Sequence, residues 1–261
     1  MLKKRLIPKL LIKKLDYAGK IYPVQVSSTQ FKKYRIVGDP VSQAKIYEAQ
    51  LADELIVLMI DKKEKRNELY ENKNLINRLA AETFMPLTIG GGVRSIKDFE
   101  FLLTNGADKV SVNNIAINNP HLITKFANRY GSQSVVVSID FFEKNQNIYI
   151  RDNEKKKNVK INLVKFLKYV ENYGAGEVIM TDISRDGMNK GLNIKISNLA
   201  SEILSIPLII SGGCGLASHF SDCFTNSKVE AVASGNYFAF RDQNPLQTRS
   251  HIKNAGVNIR I

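Results

Sequence analysis

Read along the chain, hydrophobic positions fall into short, nearly continuous runs separated by longer amphipathic stretches. The runs are Leu6–Ile12, Glu54–Ile60, Pro86–Ile89, Lys109–Val112, Ser134–Ile139, Glu177–Thr181, Pro207–Ser211 and Ala231–Gly235. Runs apolar on both faces belong to parallel strands buried under helices. Helical spacing marks the intervening segments Val41–Leu51, Asn72–Phe84, Ile96–Asn105, Pro120–Tyr130, Val164–Tyr173 and Asn193–Leu204. Start signals support several of these: Asp39 before Pro40, Ser95 with an acid three residues on, and Asn119 before Pro120. Eight strand–helix units in 261 residues predict an α/β fold, a single (β/α)8 TIM barrel, whose usual size is about 250 residues.

The pattern also repeats. Pro86-Leu87-Thr88-Ile89-Gly90-Gly91-Gly92 aligns with Pro207-Leu208-Ile209-Ile210-Ser211-Gly212-Gly213, 121 residues later, and the same offset pairs Phe99 with Phe220 and Asn105 with Asn226. Ala52-Asp53-Glu54-Leu55-Ile56 aligns with Ala175-Gly176-Glu177-Val178-Ile179 at an offset of 123. The expectation is one barrel domain over 1–261, built from two diverged half-barrels of roughly 1–130 and 131–261.

Composition changes little in that picture. Apolar residues make up 44% and charged residues 24%, as in ordinary globular chains. No run reaches the roughly 18 apolar residues of a membrane span. The basic opening segment, broken by Lys9 and followed by no small-residue cleavage site, makes a poor signal peptide. Two cysteines, Cys214 and Cys223, form no CxxC pair, so neither a disulfide framework nor a metal site is expected. The compartment these features point to is the cytoplasm. The net charge of +13 has more content. Lys3, Lys4, Arg5, Lys9, Lys13, Lys14, Lys20, Lys32, Lys33 and Arg35 crowd the start of the chain against Asp16 alone, and Lys155-Lys156-Lys157 falls in a polar loop. Such a surplus fits nucleic acid, an anionic membrane surface, phosphorylated small molecules or a merely solvated face. The aromatic residues lack the basic interleaving of a nucleic-acid stacking platform.

In such a barrel the chemistry lies at the C-terminal ends of the strands. Gly91 and Gly92 follow the third strand; Gly212 and Gly213 follow the seventh, after Ser211. Glycine lets backbone N–H groups approach an oxyanion closely. Each cluster is followed by a strand ending in small or amide residues, Asn113 and Asn114 in one half and Gly235 and Asn236 in the other. Two such grips across one mouth imply a ligand with a phosphate at each end. Neither cluster fits a dinucleotide or Walker pattern, so no cofactor is expected. Asp140 closes the fifth strand and is the candidate general acid/base. Asp186, in Arg185-Asp186-Gly187, is either a supporting acid or a turn residue. At the opposite end, Arg5, Glu54, Lys109 and Glu177 stand at strand starts. They either pair inside the barrel floor or face solvent. His121, His219 and His251 are isolated.

These motifs resemble the cyclase subunit family of imidazole glycerol phosphate synthase. The resemblance runs from Lys4-Arg5-Leu6-Ile7-Pro8 through Gly38-Asp39-Pro40, Gly90-Gly91-Gly92-Val93-Arg94, Ala107-Asp108-Lys109-Val110-Ser111, Gly174-Ala175-Gly176-Glu177 and Arg185-Asp186-Gly187 to Gly256-Val257-Asn258-Ile259-Arg260. It implies a heterodimer with a glutaminase and ammonia passing through the barrel to a bis-phosphorylated ribotide. Arg5, Glu54, Lys109 and Glu177 would then gate the floor. It also implies two catalytic aspartates. Asp140 falls on the second, but Leu11 stands at the first, Met59 at a further acid and Ser184 at the first Asp of an Asp-Arg-Asp run. Asn236 stands at a usual Ser. The segment Lys14–Ile36 is longer than the family's first catalytic loop, and Asp16 within it is a candidate substitute acid. A divergent branch with Leu at the first position resembles an ammonia source for a sugar-amidinating enzyme of surface polysaccharide synthesis. That is the alternative reading, with such an enzyme as a further partner. A basic nucleic-acid module is the third.

Overall fold

A computed structural model describes residues 3–61, 69–240 and 244–260. Met1, Leu2 and Ile261, which fall within the predicted domain bounds, lie outside the described residues. Eight parallel strands close on themselves: β1 (Arg5–Tyr17), β4 (Leu55–Met59), β5 (Leu87–Gly90), β6 (Lys109–Val112), β7 (Val135–Lys144), β10 (Glu177–Asp182), β11 (Leu208–Ser211) and β12 (Ala231–Ser234). The β7–β10 and β12–β1 pairings complete the ring. The helices α1 (Pro40–Ala49), α2 (Lys73–Glu82), α3 (Ile96–Thr104), α5 (His121–Tyr130), α6 (Leu163–Asn172) and α7 (Ile194–Ile203) fall where the amphipathic spacing puts them. Asp39 accepts from Ser42 N at the start of α1, and Ser95 from Asp98 N at the start of α3. The short helix α4 (Ile115–Asn118), α8 (Ser218–Asn226), α9 (Asn236–Phe240) and α10 (Pro245–Asn254) complete the outer ring.

Two cores follow from strand alternation. Outward residues of the strands pack with the helices, around Leu6, Leu55, Val110, Val178 and Phe220. Inward residues Ile7, Ile56, Val136, Ile179, Ile209, Ala231 and Ala233 form a separate apolar layer inside the barrel.

Two hairpins depart from the sequence expectation. Strand β1 runs five residues past Ile12 and folds back through β2 (Lys20–Thr29) and β3 (Lys33–Gly38). Strand β7 likewise continues into β8 (Asn147–Asp152) and β9 (Lys157–Ile161). The Lys155–Lys157 cluster is therefore a hairpin turn whose last lysine opens a strand, rather than a plain polar loop. Both hairpins turn through paired positive-φ residues, Ala18-Gly19 and Asn145-Gln146. That geometry matches the twist of the flanking strands.

Candidate functional site

At the floor, the four charges at the strand starts meet. Arg5 Nη1 donates to Glu54 Oε1 and Nη2 to Glu177 Oε1, each at 2.6 Å. Lys109 Nζ closes the ring to Glu54 Oε2 at 3.1 Å and Glu177 Oε2 at 2.8 Å. Burial would lower the Arg5 pKa, but Glu177 and Glu54 more than offset this and raise it. Burial likewise works to raise Glu54, and the two cations hold it below its ordinary value. The ring lies directly below the apolar layer. Strand parity alone left outward-facing charges open; alternation from Ile7, Ile56 and Ile179 turns Arg5, Glu54 and Glu177 inward, and Lys109 meets both acids there.

At the mouth, Asp140 ends the inward row of β7. Its Oδ2 accepts from Asn113 Nδ2 at 3.0 Å and from Asn153 Nδ2 at 2.7 Å. Burial pushes its pKa up to about 6, against the pull of Lys9 and of the two asparagines, with Asp186 adding to the rise. Asp186 is also buried and raised, first by burial and then by Asp182, with Lys9 and Ser28 pulling the other way. Its Oδ2 is buried without a hydrogen-bond partner, as is Asn113 Oδ1. Asp182, by contrast, organises its own loop, accepting from Ser184 N and Asn193 Nδ2.

The glycine clusters share one geometry. Gly91 and Gly92 have φ of 106° and 77°, Gly212 and Gly213 of 91° and 120°. Each first glycine packs against the neighbouring strand's end. A Cβ on Gly91 would lie 2.1 Å from Met59 O, and one on Gly212 2.6 Å from Asp182 O. Gly235 similarly passes close to Lys9 O. Asn114 accepts from Asn153 N at 3.0 Å. Asn236 is engaged differently from the other donors: its side-chain amide donates to Ser28 O at 2.7 Å and accepts from Ser28 N at 3.3 Å. Gly187 lies under the same turn, where a Cβ would meet Ser28 O at 2.2 Å. Gln30 ties the hairpin tip down further, through its N to Asp186 O and its Nε2 to Ser184 O. The β2–β3 tip therefore covers the side of the mouth carrying the second glycine cluster.

Leu11 is inward at the rim, where it pairs with Leu58 of β4 in the barrel wall. Asp16 sits out on the hairpin, exposed, and accepts from Gly19 N in its own turn. Sequence reasoning missed two residues. Asn153, on the β8–β9 turn, reaches Asp140. Lys9 is an inward lysine only 4% exposed, with Nζ 2.8 Å from Ser211 Oγ. A signal for Lys9 existed, since a lone cation in a wholly apolar barrel strand is a buried charge. Among the described residues no cluster of three or more His, Cys, Asp or Glu could hold a metal. Cys214 and Cys223 are buried free thiols. No described helix is long and apolar enough to cross a membrane.

Fold and site together define a (β/α)8 barrel with a sealed, charged floor and an acid-bearing, glycine-lined mouth. Comparison with known proteins agrees. The family model described as "Histidine biosynthesis protein" matches residues 16–243. A Prochlorococcus marinus (strain MIT 9313) protein, named provisionally as an imidazole glycerol phosphate synthase subunit hisF2, is 44% identical over 266 residues, covering 100% of this chain and 99% of that one. The imidazole glycerol phosphate synthase subunit HisF of Hydrogenobaculum sp. (strain Y04AAS1) is 38% identical over 265 residues, with 100% of both chains covered. Its counterpart in Lactococcus lactis subsp. cremoris (strain MG1363) is 40% identical over 244 residues, 92% of this chain and 90% of that one. The chain belongs to the histidine biosynthesis protein family, together with the HisF subunits of imidazole glycerol phosphate synthase.

Proposed function

We propose that the chain is the cyclase-type subunit of a glutamine amidotransferase. It receives ammonia at the floor from a glutaminase partner and uses it at the mouth on a bis-phosphorylated ribotide. The observation that carries this reading is the Arg5–Glu54–Lys109–Glu177 ring on the same axis as Asp140, with an apolar layer between them. Neutral ammonia crosses an apolar layer at little cost, whereas ions pay heavily for desolvation. Lys109, with 21% of its side chain exposed against 5% for both acids, is the ring member freest to swing aside. Gly91, Gly92, Asn113 and Asn114 form one phosphate grip. Gly187, Ser211, Gly212, Gly213, Gly235 and Asn236 form the other. Asp140 takes up the proton that the attacking nitrogen sheds. Asp186 supports it.

A second reading rests on Leu11. An alkyl side chain where an acid is expected favours a subunit that draws ammonia from the glutaminase and passes it to a separate sugar-amidinating enzyme. Purified chain supplied with ammonium salt and the bis-phosphorylated ribotide separates the two. Formation of imidazole glycerol phosphate supports the first reading. No turnover, with glutaminase stimulation intact, overturns it in favour of the second.

A further inference from the structure

Lys9 is a buried charge at the mouth that the proposed reading leaves unused. Its placement follows from strand alternation: Arg5, Ile7, Lys9 and Leu11 all face the barrel axis. The register then fixes its level. Asp140 pairs with Thr181, and Thr181 pairs with Ser211, so these three form one row across β7, β10 and β11. Lys9 Nζ donates to Ser211 Oγ at 2.8 Å and therefore lies in that row, two strands from Asp140. Its charge acts on Asp140 from β7, Asp186 after β10 and the Cys214 thiol after β11, opposing the effect of burial on each. None of the carboxylates lies within ion-pair distance of it among the described contacts. Asp186 Oδ2 is likewise buried and has no hydrogen-bond partner.

We propose that Lys9 is the second proton-transfer residue of the mouth, the general acid that works with Asp140 where strand one offers only Leu11. This rests on the cyclase reading above. For ammonia adding to a carbonyl-type carbon of the ligand, the N–C bond forms while the C=O π pair moves to oxygen. The oxygen takes a proton from the Lys9 ammonium, and the nitrogen gives its surplus proton to the Asp140 carboxylate. Asp140 returns that proton to Lys9. A second transfer from Lys9 lets the oxygen leave as water when the C=N bond forms, and the proton lost from nitrogen in that step again restores the pair. No oxidant or further reactant is needed.

The test uses the full chain with ammonium chloride and the bis-phosphorylated ribotide. Lys9→Met should lower kcat by about 10²–10⁴-fold with little change in KM. Lys9→Arg should not restore kcat, because a guanidinium keeps its proton. Ser211→Ala, which frees the ammonium of its hydrogen bond without removing it, should lower kcat less than Lys9→Met does, and it keeps the question answerable if Lys9→Met fails to fold. A Lys9→Met kcat near wild type, a pure KM rise, or full rescue by Lys9→Arg would each overturn the assignment while leaving the cyclase reading intact. A folded wild-type chain without turnover overturns the cyclase reading, and this assignment with it.

Discussion

Arg5 and Glu177, on strands β1 and β10, face each other across the barrel floor with Nη2 and Oε1 2.6 Å apart, and the second Arg5 nitrogen holds Glu54 at the same distance. One guanidinium thus bridges both acids. Lys109 duplicates that bridge from the other side. The two cations are therefore unequal in what their loss does.

Removing Lys109 leaves each carboxylate with one Arg5 nitrogen, so Lys109→Ala should fold and open the floor. Glutamine hydrolysed by the partner should then exceed product formed, as measured by parallel glutamate and product assays on the complex. Unchanged coupling would refute a gating role. Glu177→Ala, by contrast, strips an acceptor from both cations in a nearly sealed layer. Breaking a buried pair from one side costs about 3–5 kcal/mol, and urea unfolding of the isolated chain reads it directly.

A second buried pair sits outside the ring. Asp53 accepts from Leu6 N at 2.7 Å and from Arg249 Nη2 at 3.1 Å, and Arg249 also donates to Leu51 O. This joins α10 to the start of β4. Burial already raises the Asp53 pKa, with the Leu6 amide and Arg249 pulling it down. Arg249→Ala should therefore raise it further and destabilise the chain by about 3 kcal/mol or more at pH 7. The loss should shrink as pH falls and Asp53 takes up a proton. A loss independent of pH would mean that packing, not charge, is what Arg249 contributes.

The barrel strands were legible because each is a short apolar run between helical stretches, and closure then follows from the fold class. The floor ring was legible only as four charges at strand starts, since inward or outward facing turns on a one-residue shift in register. The hairpins escaped for a different reason. Leu15, Tyr17, Ile21, Tyr22, Tyr34 and Ile36 are exposed, so the β1–β3 extension buries too little to give a clean apolar run. Its remaining signal was the Ala18-Gly19 turn between alternating residues. Asn153 was invisible because its contact with Asp140 depends on where the β8–β9 hairpin folds. Lys9 was visible as an anomaly, a charge inside a core strand, though its partner Ser211 lies 202 positions away.

The first glycine cluster can be probed without touching any acid. Gly91 has φ of 106°, and a Cβ there would stand 2.1 Å from the Met59 carbonyl. Gly91→Ala must therefore displace the β4 end or the loop after β5, at a cost of roughly 1–3 kcal/mol for the strained backbone. If this loop holds a phosphate, affinity for the bis-phosphorylated ribotide should fall by more than the stability loss accounts for. Calorimetric titration with that ligand, set beside a thermal melt, checks this. Unchanged affinity would remove Gly91 and Gly92 from the binding site.

Asp140 supplies a pH test that needs no substrate. Burial raises its pKa from 3.8 to about 6, so between those values the folded chain holds a proton that the unfolded chain has lost. The native state binds more protons, and stability falls as pH rises through that window. At about 1.4 kcal/mol per pH unit, this group costs roughly 3 kcal/mol above pH 6. Asp140→Asn keeps an oxygen for Asn113 and Asn153 but cannot ionise. Its stability, measured by urea unfolding at pH 4.5 and 7.5, should lack the part of the wild-type decline that Asp140 contributes, making it the more stable protein at the higher pH. The same variant should lose ammonium-dependent turnover, as expected where an ionised carboxylate is kept in a buried place for its chemistry rather than for the fold. Parallel stability curves for the two proteins would mean that Asp140 ionises as freely as in the unfolded chain, and would remove the basis for treating it as a tuned base.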